Sequence, residues 1–136
     1  MREVILANRD RLIDICGLEN GKTLSDAAGE LSRALEAVEY ATNAPEITKG
    51  EYSRNVGGGI DTYSLTMPVG VVGCIAPFNF PIMVPLMMAS MAIATGNAVI
   101  VKPHSNAILP AAITVRTIRT VLAENGIDPS LVTLCV

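Results

Sequence analysis

No charged side chain occurs between Asp61 and Lys102. A stretch this apolar is either embedded in a membrane or buried in a core, and its punctuation decides which. Pro68, Pro77, Asn79, Pro81, Pro85, Gly96 and Asn97 interrupt it. Its longest apolar piece, Ile82–Ala94, contains Pro85 and Ser90, and it falls short of the roughly 20 residues a helix needs to cross a bilayer. The run therefore predicts a buried strand followed by a buried helix, with no membrane partner.

From Gly70 onward the pattern is that of an α/β unit. Val71–Ala76 reads as a continuous apolar strand, the form strands take when both faces of a sheet are covered. Met83–Thr95 is a helix, apolar almost all round and so sandwiched between layers. Ala98–Val101 is a second buried strand. Ala107–Glu124 is a helix with Ile113, Ile118, Val121 and Leu122 toward the core and Arg116, Arg119 and Glu124 outside; Asn125-Gly126 ends it, and Leu131–Cys135 reads as another strand. The order β-α-β-α-β with short connections implies parallel strands and right-handed crossovers. The expected fold class is α/β, a partial Rossmann-like parallel sheet with flanking helices. The chain stops at Val136, directly after a strand, where a doubly wound fold should not end.

The first 46 residues read as helices. Residues 2–16 mix Val4, Ile5, Leu12, Ile13 and Ile15 with charges and should end near Gly17. Thr23-Leu24-Ser25-Asp26 resembles a capping box. After it Leu24, Ala27, Ala28, Leu31, Ala34, Leu35, Val38 and Ala41 recur at helical spacing, with Asp26, Glu30, Arg33, Glu36 and Glu39 mostly opposite, up to about Thr42 and before Pro45. Residues 47–68 change character: short runs of Tyr, Ser, Thr and Val surround Gly57-Gly58-Gly59, predicting a β-hairpin that projects from the body. Residues 69–136 then form the βαβαβ part.

With 17% charged residues and 50% hydrophobic ones, the chain is not a disordered segment. Its net charge of −3 and few aromatics exclude a general nucleic-acid partner. Cys16, Cys74 and Cys135 lack metal-ligand spacing and read as reduced thiols of an intracellular, cytoplasmic protein; no metal is implied. The charged, amphipathic N-terminus is not a signal peptide.

Gly70-Val71-Val72-Gly73 is not the dinucleotide fingerprint GxGxxG. Ligands of parallel sheets nevertheless sit at the carboxyl ends of the strands. The loops there are Pro77–Pro81 and Lys102–Asn106, so spacing alone brings Asn79 and Lys102 to one rim. Asn79 could equally be a turn residue satisfied by local backbone, and Lys102 a solvated lysine.

At these residues a family likeness becomes specific. A GVVG strand, then PFNFP (77–81), TGN (95–97) and VIVKP (99–103), together with NGKTLSDAAGE (20–30), the glycine hairpin and TYSLTMPVG, resembles the aldehyde dehydrogenase superfamily over essentially the whole chain. The resemblance implies an incomplete aldehyde dehydrogenase fold, its N-terminal cofactor-binding portion. It implies NAD or NADP as cofactor, an aldehyde as small-molecule substrate, and a homodimer or homotetramer joined through the hairpin. Carried over by position, Asn79 would be the catalytic oxyanion-stabilising asparagine and Lys102 the lysine on the adenosine ribose. Ile75, Ala76, Pro77 and Phe78 would line the cofactor path near the nicotinamide. Ser105 stands where many NAD-preferring members carry Glu, and serine does not repel a 2′-phosphate, so NADP is allowed; His104 is a polar loop residue beside it.

The family's attacking thiol, general-base glutamate and pyrophosphate-binding glycine turn are expected downstream of these residues, and Cys74, inside an apolar strand, is expected to be inert. The chain alone is then expected to be inactive. Three alternatives stay open: a truncated inactive fragment, a nucleotide-binding or scaffold module without redox chemistry, and a Cys–His hydrolase using Cys74 and His104.

Overall fold

A computed structural model describes residues 1–136. Four helices lead the chain: α1 (Arg2–Ala7), α2 (Arg9–Asn20), α3 (Leu24–Ala41) and the single turn α4 (Ala44–Ile47). A hairpin of β1 (Tyr52–Gly57) and β2 (Ile60–Tyr63) follows. The chain then alternates through β3 (Val71–Ile75), α5 (Met83–Ala94), β4 (Ala98–Lys102), α6 (Ile108–Glu124) and β5 (Val132–Leu134), the last preceded by a 3-10 turn at Pro129–Leu131.

Local chemistry accounts for the helix boundaries. The segment expected as one helix ending near Gly17 is broken at Asn8, whose side chain donates to the Val4 carbonyl at 2.8 Å and so competes with the helical ladder. The second piece runs through Gly17 and stops at Gly21, whose φ of 76° is the left-handed conformation that closes helices. Thr23 caps α3, its Oγ1 accepting the Asp26 N–H at 3.2 Å; Asp26 bonds the Thr23 hydroxyl in return instead of its N–H. Pro45 ends α3 as expected and also sits in the first turn of α4. Leu24, expected on the apolar stripe, is exposed, because helical side chains tilt toward the N-terminus and the first one points past the packed segment.

Strands β3, β4 and β5 form a parallel sheet in that order, with Val71 opposite Ala98, Ile75 opposite Lys102 and Val99 opposite Val132. Cys74, Val99, Val101 and Val132 point into the core, where Ile82, Leu86 and Ile118 of the α5 and α6 region meet Leu12 and Leu31. Helix α5 is sandwiched between the sheet and α3, which explains its uniform apolarity. The expectation that helices cover both sheet faces does not hold. Successive strands step in one direction, so crossovers of one hand put α5 and α6 on the same side. Val71 (64% exposed), Ile75 (75%) and Ile100 remain open on the other face.

The turn at Thr95-Gly96-Asn97 locks β4 to the start of β3. Gly96 has φ 83°, and a Cβ there would lie 2.8 Å from Pro68 Cγ. Buried Asn97 accepts the Gly70 N–H at 2.9 Å and donates to Thr95 Oγ1 at 2.9 Å. The hairpin projects with every residue exposed. Its bend is organised by Asp61, which accepts the Tyr52 hydroxyl at 2.5 Å and the Asn55 N–H at 2.8 Å. No helix is long and apolar enough to cross a membrane.

Candidate functional site

The parallel pairing of β3 and β4 delivers both candidate loops to one edge of the sheet. Beyond the Ile75–Lys102 pair, the Ala76 N–H donates to the Lys102 carbonyl at 2.9 Å. The Phe78 ring then meets the His104 ring edge-on, with centroids 5.3 Å apart. Asn79 and Lys102 thus lie on neighbouring loops of one rim. Ala76 is buried beneath it, whereas Ile75, Pro77, Phe78, Asn79, Lys102 and Ser105 are exposed. Lys102 Nζ reaches only the Pro103 carbonyl, at 3.4 Å. The Ser105 hydroxyl donates to Asn106 Oδ1 at 3.4 Å, and His104 Nδ1 accepts the Asn106 N–H at 3.1 Å.

The Pro77–Pro81 loop is held by its backbone. Asn20 Nδ2 donates to the Phe78 carbonyl at 2.6 Å, and Lys22 Nζ donates to the Asn79 carbonyl at 2.7 Å while lying 4.5 Å over the Phe80 ring. The Asn79 carboxamide itself makes no intramolecular hydrogen bond, so it is not a turn side chain satisfied by local backbone. Where the loop enters α5, Glu30 receives it: Oε1 accepts the Ile82 N–H at 2.7 Å and the Met83 N–H at 2.9 Å. Its other oxygen pairs with Lys22 Nζ at 2.6 Å, and the Glu30 side chain is 0% exposed.

Glu30 is the residue whose position the sequence pattern misjudged. Set among the outward charges of α3, it is instead a buried cap for a helix that carries no acidic residue in its own first turn. A signal existed: Glu30 falls three after Ala27 and four before Ala34, on the buried stripe. The start of α6 is closed in the same way, Glu19 of α2 accepting the Leu109 N–H at 2.7 Å. Both helix N-termini on this rim, the usual seat for a phosphate, are therefore occupied by protein carboxylates.

Beside Asn79 lies an open depression of about 520 Å³ lined by Lys22, Asp26, Glu30, Arg33 and Phe80 among others. Arg33 is exposed there and has no ion-pair partner. Neither Cys74 nor Cys16 offers a nucleophile at this rim. Cys74 is buried with Sγ 3.2 Å from Met88 Sδ, and burial pushes its pKa up. Burial, and then the charge of Glu30, pushes Cys16 up to about 11. Cys74 faces the core while His104 packs on Phe78, so the Cys–His pair of a hydrolase is not formed.

Comparison with known proteins adds identity to this geometry. Over 102 residues, 75% of this chain, it is 57% identical to a malonate-semialdehyde dehydrogenase of Pseudomonas aeruginosa, of which it covers 20%. The crystal structure of methylmalonate-semialdehyde dehydrogenase from Oceanimonas doudoroffii superposes with a TM-score of 0.89 at 43% identity, over 98% of this chain and 26% of that one. A Sinorhizobium meliloti protein described as a methylmalonate-semialdehyde dehydrogenase, solved with NAD, gives 0.86 at 34% identity, over 98% and 26% of the two chains. The chain spans a fifth to a quarter of the length of these relatives. The family model described as the Aldehyde dehydrogenase family matches residues 1–136, and the chain belongs to that family.

Proposed function

We propose that these residues supply the oxyanion donor and part of the NAD(P) site of an aldehyde dehydrogenase whose attacking cysteine lies outside them. The observation that carries this reading is Asn79: an exposed carboxamide without an internal partner, on a loop fixed through its backbone. When the thiolate adds to the aldehyde carbon, the carbonyl oxygen gains negative charge as the thiohemiacetal forms. Asn79 Nδ2 donates to that oxygen, and a donor already in place costs no reorganisation. NAD or NADP bound at this rim would supply the hydride acceptor, and the thioester then left on the cysteine would pass its acyl group to water or a thiol acceptor.

The exposed sheet face fits part of a dinucleotide. Ile75, Pro77 and Phe78 offer an apolar floor on the nicotinamide side, and Lys102, with only one long hydrogen bond of its own, is free to bond the adenosine ribose. Glu30 accepts two N–H groups at the start of α5 and Glu19 one at the start of α6, which favours receipt of the pyrophosphate by other residues. Ser105 presents a hydroxyl and no charge, compatible with NAD and NADP alike. The projecting hairpin, exposed along its length, supports a homo-oligomer joined through it. Relatives named for malonate semialdehyde, together with the unpaired Arg33 beside Asn79, support an aldehyde bearing a carboxylate. The test is reduction of NAD or NADP by the full-length protein with malonate semialdehyde, against an uncharged aldehyde of equal length. Faster turnover of the acid is expected; no reduction of either cofactor with any aldehyde would overturn the proposal.

A further inference from the structure

We propose that Lys22 and Glu30 are positioning residues for Asn79, a buried ion pair that fixes the oxyanion donor by its backbone and leaves its side chain free. This rests on the oxyanion reading of Asn79.

A hydrogen-bond donor stabilises developing charge only if its supporting residues hold it in place. The Pro77–Pro81 loop is exposed from Pro77 to Phe80, so it needs external anchors. Lys22 provides one at the reactive residue itself, through the Asn79 carbonyl at 2.7 Å. The same ammonium bonds Glu30 Oε2 at 2.6 Å, and Glu30 Oε1 holds the N–H groups of Ile82 and Met83, where the loop enters α5. Asn79 is thereby gripped on its own carbonyl and three residues later, by one connected pair of side chains. Both Glu30 oxygens and two of the three Lys22 ammonium donors are hydrogen-bonded, which offsets the cost of burying the pair. The bonds fall on backbone atoms only, so none competes with the aldehyde oxygen for the Asn79 amide.

Two variants separate positioning from folding. Lys22→Met removes the contact to Asn79. Glu30→Gln keeps a carbonyl for Ile82 and Met83 but withdraws the carboxylate from Lys22. In the full-length enzyme both should lower kcat by about 10- to 100-fold, as expected when a reacting group is misplaced by an ångström. KM for the cofactor should stay within about twofold, and Lys22→Arg, which can bond both partners, should recover most of the rate. In the 15N–1H spectrum, the Asn79 carboxamide pair should shift and broaden in Lys22→Met and sharpen again in Lys22→Arg. Unchanged carboxamide signals in Lys22→Met overturn the inference whatever the activity. So does an unchanged kcat in both variants while Asn79→Ala is impaired. An Asn79→Ala enzyme of normal kcat instead removes the oxyanion reading, and the carboxamide spectrum still decides whether Lys22 holds Asn79.

Discussion

Replacing Glu30 by alanine removes the acceptor of two backbone N–H groups and the counter-ion of Lys22 in one step. The Glu30 side chain is 0% exposed and that of Lys22 is 14% exposed, so water replaces little of what is lost. Breaking a buried pair by deleting one partner costs about 3–5 kcal/mol. Stranding Ile82 and Met83 at the start of α5 is part of that loss, since each unsatisfied group costs about 1–3 kcal/mol. Against a total stability of about 5–15 kcal/mol, the change removes roughly a fifth at the least. With a urea slope of about 2 kcal/mol/M, the unfolding midpoint by circular dichroism should fall by roughly 2 M. Glu30→Gln should fall by less, because it keeps one acceptor. The double variant Lys22→Met/Glu30→Ala should lose less than the sum of the two single changes. A midpoint within about 0.3 M of the parent for Glu30→Ala would refute the reasoning.

Further expectations follow from other parts of the fold. Gly96→Ala should destabilise the chain by about 1–3 kcal/mol in thermal or urea unfolding, because its φ of 83° and the 2.8 Å approach of Pro68 both act against a Cβ. Asp61 is held below the usual carboxylate range, first by the Tyr52 hydroxyl and then by the Asn55 N–H. A depressed carboxylate contributes stability above its unfolded value and loses it as pH falls, so hairpin amide protection should drop below about pH 4 and not change from there to neutrality. Iodoacetamide at neutral pH should label exposed Cys135 and spare the native Cys16 and Cys74, as read by peptide mass; labelling of Cys74 at a comparable rate would contradict its burial.

Much of the architecture was legible because its causes are local. Thr23 announces α3, Pro45 ends it, and the charge-free run with its prolines and glycines yields β3, α5 and β4 in order. The rim shared by Asn79 and Lys102 followed from strand parity alone. The unreadable parts are those settled by tertiary contact. Nothing near Glu30 in the sequence says that its carboxylate will cap α5, more than fifty residues later. The open face of the sheet was hidden by the apolarity of Val71, Ile75 and Ile100, which resembles that of strands covered on both sides. Asn8 breaks a segment whose apolar spacing continues through it, because a side-chain bond to Val4 outweighs the pattern.

The central claim is that the Asn79 carboxamide is the oxyanion donor of an aldehyde dehydrogenase. Its most direct test is kcat for aldehyde oxidation by the full-length Asn79→Ala enzyme. The account predicts a fall of about 100- to 1,000-fold, the usual loss for one oxyanion donor, with cofactor affinity retained. A kcat within about twofold of the parent would contradict it.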